Sequence, residues 1–197
     1  MPGNASEGDN ATAIVFEGEE RVMSELLAAW RPHTWPPPDN ISVPLGHCTW
    51  DGIKCNAEGD VIHVRLTVKD VEGTIPAAIG ELQHLEQLYL YSNRIRGTIP
   101  PEIGQLKKLT HLSLGENKIK GTIPSAIGDL ESLKFLYLNG NRLTGAIPAD
   151  IGKLRALQHI GLWANGLEVR TTENVLVSDP ACRICAMEHH SSMLRLA

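Results

Sequence analysis

The chain has 197 residues, enough for one ordinary domain or for one repeat array with flanking segments. Its 42% hydrophobic and 21% charged residues can form a core, which excludes a chain that is disordered throughout. Because the net charge is −5, nucleic acid is not an expected partner. No apolar run approaches the ~18–20 residues of a membrane span, so the sequence predicts a soluble chain.

The first segment, residues 1–18, is predicted to be flexible and does not resemble a secretory signal. It lacks a basic region, and its longest apolar stretch, AIVF, is shorter than the ~7–15 residues of a signal's hydrophobic region. Glycosylation sequons at Asn4, Asn10 and Asn40 nevertheless favour, with little weight, an extracellular glycoprotein. The two indications disagree, so the sequence leaves a choice between an extracellular or cell-surface location and the cytoplasm.

Residues 19–60 are predicted to cap the rest of the chain at its N-terminal end. The segment EERVMSELLAAW places Val22, Leu26 and Trp30 on one face of a helix, and a proline-rich loop follows. The four cysteines form two close pairs at opposite ends of the chain, and the first pair is Cys48 and Cys55. Paired spacing indicates a disulfide or a metal site without choosing between them.

Residues 61–169 repeat at an interval of 24 residues. The aligned units are LEQLYLYSNRIRGTIPPEIGQLKK from Leu85, LTHLSLGENKIKGTIPSAIGDLES from Leu109 and LKFLYLNGNRLTGAIPADIGKLRA from Leu133. An imperfect unit precedes them from Val61, and a truncated unit follows from Leu157. About five such units predict a solenoid, in which each coil buries its apolar face against its neighbours.

The pattern LxxLxLxxNxLxGxIPxxIGxL resembles the plant-type leucine-rich repeat of receptor-kinase ectodomains and polygalacturonase inhibitors. This resemblance implies an α/β repeat fold: a right-handed solenoid with a parallel concave β-sheet, an N-terminal helix and cysteine cap, and an irregular convex side. The segment Cys48-x6-Cys55, with Trp50 inside it, is similar to the family's cap, whose two cysteines form a disulfide. Two buried free thiols are the alternative.

Each repeated residue type has a structural role in such a coil. Alternating leucines such as Leu88 and Leu90 point inward from a short strand. An asparagine column can satisfy backbone groups where the chain turns, because an amide both donates and accepts hydrogen bonds. In each GTIP or GAIP, the glycine permits a tight bend and close stacking, and the isoleucine points into the core. The column comprises Asn93, Asn117, Asn141 and Asn165.

The outward-facing strand positions are predicted to line the concave face as a ligand-binding surface. All three tyrosines of the chain fall there, and large aromatic side chains left on an open face are the usual anchors of recognition. The candidate ligand-binding residues on this face are Gln87, Tyr89, Tyr91, His111, Phe135, Tyr137, His159 and Trp163.

A basic edge is predicted beside these aromatic residues and completes the candidate site. Its members are Arg94, Lys118 and Arg142, next to Arg96 and Lys120. Stacked strands lie about 4.8 Å apart, so these like charges are mildly unfavourable without a counter-charge from a partner or from solvent ions. The alternative is a solvated column with local carboxylate partners such as Glu116.

Residues 170–197 carry no further repeat and are predicted to be a C-terminal cap or tail. Cys182, Cys185 and His189 have a zinc-like but short spacing without a second half elsewhere. A bound zinc, a CxxC disulfide and an unremarkable tail are the alternatives, and no metal or cofactor is predicted.

No catalytic motif accompanies the repeats, so the sequence predicts a protein that is not an enzyme. The resemblance implies a recognition module, like a receptor ectodomain or co-receptor, that binds a protein or peptide through its concave face. An acidic ligand would suit the basic edge, carbohydrate is the less favoured ligand, and a receptor is a further expected partner. The alternatives are a secreted inhibitor of a cell-wall hydrolase and an intracellular scaffold.

Overall fold

The structure is a computed structural model that describes residues 18–30, 46–168 and 194–195. Its helix and strands are, in chain order, α1 (Gly18–Trp30), β1 (Ile53–Cys55), β2 (Val61–Arg65), β3 (Glu72–Gly73), β4 (Gln87–Tyr89), β5 (Arg94–Gly97), β6 (His111–Ser113), β7 (Lys118–Gly121), β8 (Phe135–Tyr137), β9 (Arg142–Ala146), β10 (His159–Gly161), β11 (Gly166–Glu168) and β12 (Leu194–Arg195). Short 3₁₀ segments, from Ala77–Glu81 to Ala149–Lys153, follow each GTIP or GAIP and form the opposite side of the coils.

The concave sheet contains seven of these strands, in the order β1-β2-β4-β6-β8-β10-β12. The strands from β2 to β10 are parallel, and β1 and β12 are added antiparallel at the two ends. Residues 24 positions apart are direct partners, as in Gln87 opposite His111 and His111 opposite Phe135. The predicted solenoid with a parallel concave sheet is therefore confirmed.

A second sheet of five short parallel strands, ordered β11-β9-β7-β5-β3, runs along the side where each coil leaves the concave face. The repeat pattern does not predict this sheet. Its register differs from that of the concave sheet, because Arg96 lies opposite Lys118 and Lys120 lies opposite Arg142. Cross-strand partners in the second sheet are thus 22 residues apart, two fewer than the 24-residue repeat. Equivalent residues of successive coils are therefore displaced by two positions in this sheet.

The core consists of stacked leucine and isoleucine columns between the two sheets and the 3₁₀ segments. Leu88, Leu112 and Leu136 are fully buried, as the alternating pattern predicts. The helix α1 covers the first coil with Val22, Leu26 and Trp30, all buried. The Trp30 indole Nε1 donates a hydrogen bond to the Thr74 carbonyl at 2.8 Å, which fixes the helix on the first GTIP corner.

The asparagine column forms the predicted ladder. The buried Asn117 accepts a hydrogen bond from the Ile95 amide at 2.9 Å, and its Nδ2 donates to the carbonyls of Leu90 at 2.8 Å and Leu114 at 3.1 Å. Each asparagine thereby joins its own coil to the preceding one. At the first position Lys69 stands in the column, and there the Lys69 amide donates to Asn93 Oδ1 at 3.0 Å.

The GTIP glycine is required at the corner for two reasons. Gly97 has φ +81°, a conformation that side chains with a Cβ rarely adopt, and a Cβ there would lie 2.9 Å from Thr74 Cγ2 of the preceding coil. The isoleucine that follows two residues later, Ile99, is buried. The phrase is therefore a corner of the coil, as predicted.

The residue before each ladder position adopts the left-handed conformation, a feature that the sequence analysis missed. The values of φ are 54° at Val68, 56° at Ser92, 53° at Glu116 and 54° at Ala164, and the equivalent Gly140 has 64°. Only one of the five is glycine, so residue type gives no signal of the turn.

Cys48 and Cys55 form a disulfide that ties the 3₁₀ segment His47–Thr49 to β1, so the disulfide is confirmed over free thiols. Cys182, Cys185 and the three sequons lie outside the described residues, and their chemistry remains a prediction. Of the helices within the described residues, none has the length and apolar character needed to cross a membrane.

Candidate recognition surfaces

The 24-residue register of the concave sheet stacks three rings from successive coils, those of His111, Phe135 and His159. The ring of His111 lies 4.5 Å from that of Phe135, and Phe135 lies 4.9 Å from His159, with interplanar angles of 15° and 8°. Tyr89, from the neighbouring column, extends this row diagonally, because its ring centroid lies 5.8 Å from that of His111 at a tilt of 38°. We call these four side chains the ring stack. Flat rings at such spacings offer a continuous surface for a ligand's apolar or aromatic groups.

The imidazole of His111 is held in one orientation within the ring stack. The Thr110 hydroxyl lies 2.9 Å from the Glu86 carbonyl oxygen and 2.8 Å from His111 Nδ1. The contact with Nδ1 orients the ring in either tautomer, because the hydroxyl can donate to this nitrogen or accept from it. Burial lowers the pKa of His111, and the positive charges of Lys134 and Arg65 lower it further.

Arg65 lies beside the ring stack, although the sequence analysis does not include it among the binding residues. Its guanidinium carbon lies 5.9 Å from the Tyr89 ring centroid, and its Nη2 donates to Gln87 Oε1 at 2.6 Å. Burial raises the pKa of the Tyr89 hydroxyl, partly offset by this cation. Because Arg65 is 24 residues before Tyr89, its column position is a signal that could have identified it.

Two large aromatic side chains stand at the outer edge of the concave face. Tyr91 is 38% exposed and Trp163 is 41% exposed. Trp163 crosses Gly161, where a Cβ would lie 2.8 Å from its ring and 2.9 Å from the Tyr137 ring. The small residue therefore makes the space in which Tyr137 and Trp163 lie side by side.

His63 ends the column to which His111 and His159 belong. It is only 8% exposed, its Nδ1 has no hydrogen-bond partner, and its Nε2 lies 3.8 Å from the Glu86 carboxylate. Burial is the largest cause of its lowered pKa, and Arg65 and Lys54 add to the effect. The neutral imidazole is therefore favoured at this end of the column.

The predicted basic edge does not lie on the concave sheet. Arg94, Lys118 and Arg142 each begin a strand of the second sheet. The structure thus divides the candidate site: the eight uncharged or imidazole-bearing residues line the concave face, and the three strongly basic ones lie on a neighbouring face.

The carboxylates that pair with the basic edge are Asp70 and Glu72, not the expected Glu116. Arg94 forms ion pairs with Asp70 at 3.0 Å and with Glu72 at 2.9 Å, and its hydrogen bond to Glu72 is the main cause of the lowered pKa of that carboxyl group. Glu116 instead accepts a hydrogen bond from Asn139 Nδ2 at 3.1 Å. Arg94 is therefore neutralised within the chain.

Potential metal-binding groups within the described residues occur at the N-terminal cap. Ligand atoms of Glu19, Asp60 and His84 lie within 4.8 Å of one another. These groups already have protein partners, because Glu19 accepts from the Val61 amide at 2.6 Å and Asp60 lies 3.0 Å from His84 Nδ1. A second group includes Cys48 and Cys55, which are joined to each other as a disulfide.

The in-register coils, the asparagine ladder and the cysteine cap define a leucine-rich-repeat solenoid. The sequence model of the family described as leucine-rich repeat region matches residues 44–179, and the chain belongs to this family.

Solved structures of plant receptor proteins share this fold. One chain of the BIR3–SERK2 complex from Arabidopsis thaliana is 28% identical, with a TM-score of 0.68, over 77% of this chain and 84% of that chain. The BIR2 ectodomain from Arabidopsis thaliana is 25% identical, with a TM-score of 0.66, over 80% of this chain and 97% of that one. A chain of the PEPR1–AtPEP1 complex is 33% identical, with a TM-score of 0.67, over 75% of this chain but only 21% of that one.

Proposed function

We propose that the protein is a non-catalytic recognition module that binds a peptide or protein segment across its concave face. The observation that carries the proposal is the ring stack, in which the half-buried side chains of Tyr89, His111, Phe135 and His159 contact one another in sequence along the concave face. Within residues 18–30, 46–168 and 194–195, no strand or helix packs over this row, and such a row of rings is better suited to binding than to stability.

The concave face offers two kinds of contact to such a ligand. The stacked rings, with Tyr137 and Trp163, present apolar area with few rotatable bonds, so ordering them on binding costs little entropy. Tyrosine hydroxyls and the Nε2 of His111 provide hydrogen-bonding groups on the same face. Together they would hold an extended ligand that crosses the parallel strands from β4 to β10.

The similarity to short plant receptor ectodomains supports a co-receptor-like role at the cell surface. The chain covers 97% of the BIR2 ectodomain and 84% of a chain of the BIR3–SERK2 complex, whereas it covers only 21% of the PEPR1 complex chain. The disulfide also suits an oxidising compartment. Among the described residues, no feature favours the hydrolase-inhibitor or intracellular-scaffold alternative over this role.

The test uses peptides selected from a displayed random library on the wild-type protein and then measured by calorimetry. Replacement of Tyr89, Tyr137 and Trp163 with alanine is expected to weaken binding at least about 100-fold, since central aromatic anchors each contribute about 2 kcal/mol or more. A matched variant with Lys107, Lys108 and Glu131 replaced by alanine, all exposed, keeps wild-type affinity.

Thermal unfolding of both variants checks that the fold is retained. We expect it to be retained, because none of the replaced side chains belongs to the leucine and isoleucine columns. Peptides that bind the concave variant as tightly as the wild type would show that this face is not the recognition surface.

A further inference from the structure

Four lysine and arginine side chains form a stripe on the second sheet. Lys118 and Arg96 are direct cross-strand partners, and so are Lys120 and Arg142. All four side chains are exposed. We call them the basic stripe. The arrangement follows from the two-residue offset of this sheet, which brings the second basic residue of one coil beside the first basic residue of the next.

The basic stripe lacks close counter-charges in the part of the chain that the structure describes. None of its four members forms an ion pair there within 4.0 Å, whereas the neighbouring Arg94 forms two. Glu72, at one end, acts on Arg96 and Lys118 only at longer range and is itself held by Arg94. A chain with a net charge of −5 thus keeps four positive charges together on one face.

Like charges directly opposite each other on neighbouring strands are unfavourable. The charged side chains of the basic stripe are also regularly spaced. Lys118 and Lys120 lie two residues apart on one strand, about 6.6 Å, and neighbouring strands lie about 4.8 Å apart. An extended polypeptide repeats its side chains on one face at the same distance of about 6.6 Å, so carboxylates at alternate positions match the lysines.

We propose that the basic stripe is a docking surface for an acidic segment of another protein, bound in an extended conformation with alternate carboxylates on Lys118 and Lys120. Arg96 and Arg142 flank that strand and contribute further carboxylate contacts. Guanidinium and ammonium groups are suited to such contacts, and a desolvated partner strengthens them. This surface is separate from the concave face and does not depend on the function proposed there.

The experiment measures binding of a labelled peptide of six alternating glutamate and serine pairs by fluorescence anisotropy at low ionic strength. The variant Lys118→Glu/Lys120→Glu is compared with Lys107→Glu/Lys108→Glu, which makes the same change in net charge in the turn between Gln105 and His111. Binding is expected to weaken about tenfold or more in the stripe variant and less than about twofold in the matched variant. Wild-type binding also weakens as salt is raised.

Unfolding in urea separates a loss of binding from a loss of fold. The stripe variant is expected to unfold at the same or a higher urea concentration than the wild type, because it removes two like-charge contacts. Retained peptide binding in this variant, or an equal loss in the matched variant, overturns the proposal. Binding of dextran sulfate without binding of the acidic peptide also overturns it in favour of a polysaccharide ligand.

The peptide is also measured on the concave variant with Tyr89, Tyr137 and Trp163 replaced by alanine. Unchanged affinity there shows that the basic stripe acts independently. A loss there, with wild-type affinity in the stripe variant, would assign the acidic peptide to the concave face and overturn the inference.

Discussion

At the scale of single residues, the turn from the concave sheet into the second sheet requires a positive φ at the residue before each ladder asparagine or its equivalent. The ladder asparagine fills the inside of this turn with hydrogen bonds, as Asn117 does with four backbone groups of two coils. The residue before it takes a positive φ in every described coil. Because the hydrogen bonds and the burial around the ladder fix this conformation, residues other than glycine are tolerated there at a cost.

Val68 bears that cost most clearly, because it is β-branched, 68% exposed and has φ 54°. We expect Val68→Gly to raise the free energy of unfolding by about 1 kcal/mol, since the left-handed conformation costs side chains with a Cβ about 1–2 kcal/mol and glycine's greater freedom when unfolded offsets part of the gain. Urea denaturation followed by circular dichroism measures the change.

The control for this substitution is Thr67→Gly at the preceding exposed position, where φ is not positive. There glycine is expected to lower the free energy of unfolding by about 0.5–1 kcal/mol. If both substitutions destabilise the protein equally, the strain assigned to Val68 is absent.

At the scale of elements, the N-terminal cap closes an end that the repeats leave open. The helix α1 contributes an apolar face, and β1 extends the concave sheet with an antiparallel strand. The disulfide closes the short segment between the 3₁₀ turn and β1, so β1 stays in place beside β2. An end coil has one stacking neighbour fewer than a central coil, and such covers keep its core dry.

Replacement of Cys48 and Cys55 with serine is expected to lower the free energy of unfolding by about 2 kcal/mol, because a seven-residue separation closes a short loop in the unfolded chain. Chemical denaturation without reductant measures the loss. Addition of reductant should bring the wild type down to the level of the variant. Equal denaturation midpoints for the oxidised wild type and the variant would contradict the prediction.

At the scale of the whole molecule, each column of the repeat becomes a continuous feature along the solenoid. One column contributes three of the four rings of the ring stack, and it carries two imidazoles, His63 and His111, whose pKa values are lowered mainly by burial. In the folded protein these groups bind fewer protons than in the unfolded chain at pH values below their ordinary value of about 6.5. Proton uptake therefore favours unfolding in that range.

The free energy of unfolding should fall as the pH is lowered from 7.5 through 6.5 to 5.5, and part of this slope should come from the two histidines. In the His63→Gln/His111→Gln variant the slope is expected to be smaller, because glutamine does not titrate. Urea denaturation at the three pH values measures it, and the result at pH 7.5 gives the cost of the substitution itself. An unchanged slope in the variant would refute the assignment.

The sequence by itself determined the coil. A 24-residue period of leucine, asparagine, glycine and isoleucine is enough to predict the parallel sheet, the core columns, the ladder and the concave aromatic positions, because each depends on residues at equivalent places in successive coils. The cap helix was equally predictable, since Val22, Leu26 and Trp30 share one face.

The tertiary structure alone decided how neighbouring coils meet outside the concave sheet. The left-handed turn before the ladder and the two-residue offset of the second sheet arise from backbone hydrogen bonds between coils, and no residue type in the repeat encodes them. The turn carries Lys118 and Arg142 away from the aromatic face, and the offset pairs like charges side by side and places Arg94 opposite Glu72. The period fixes which residues are equivalent, whereas the register of the backbone fixes which residues touch.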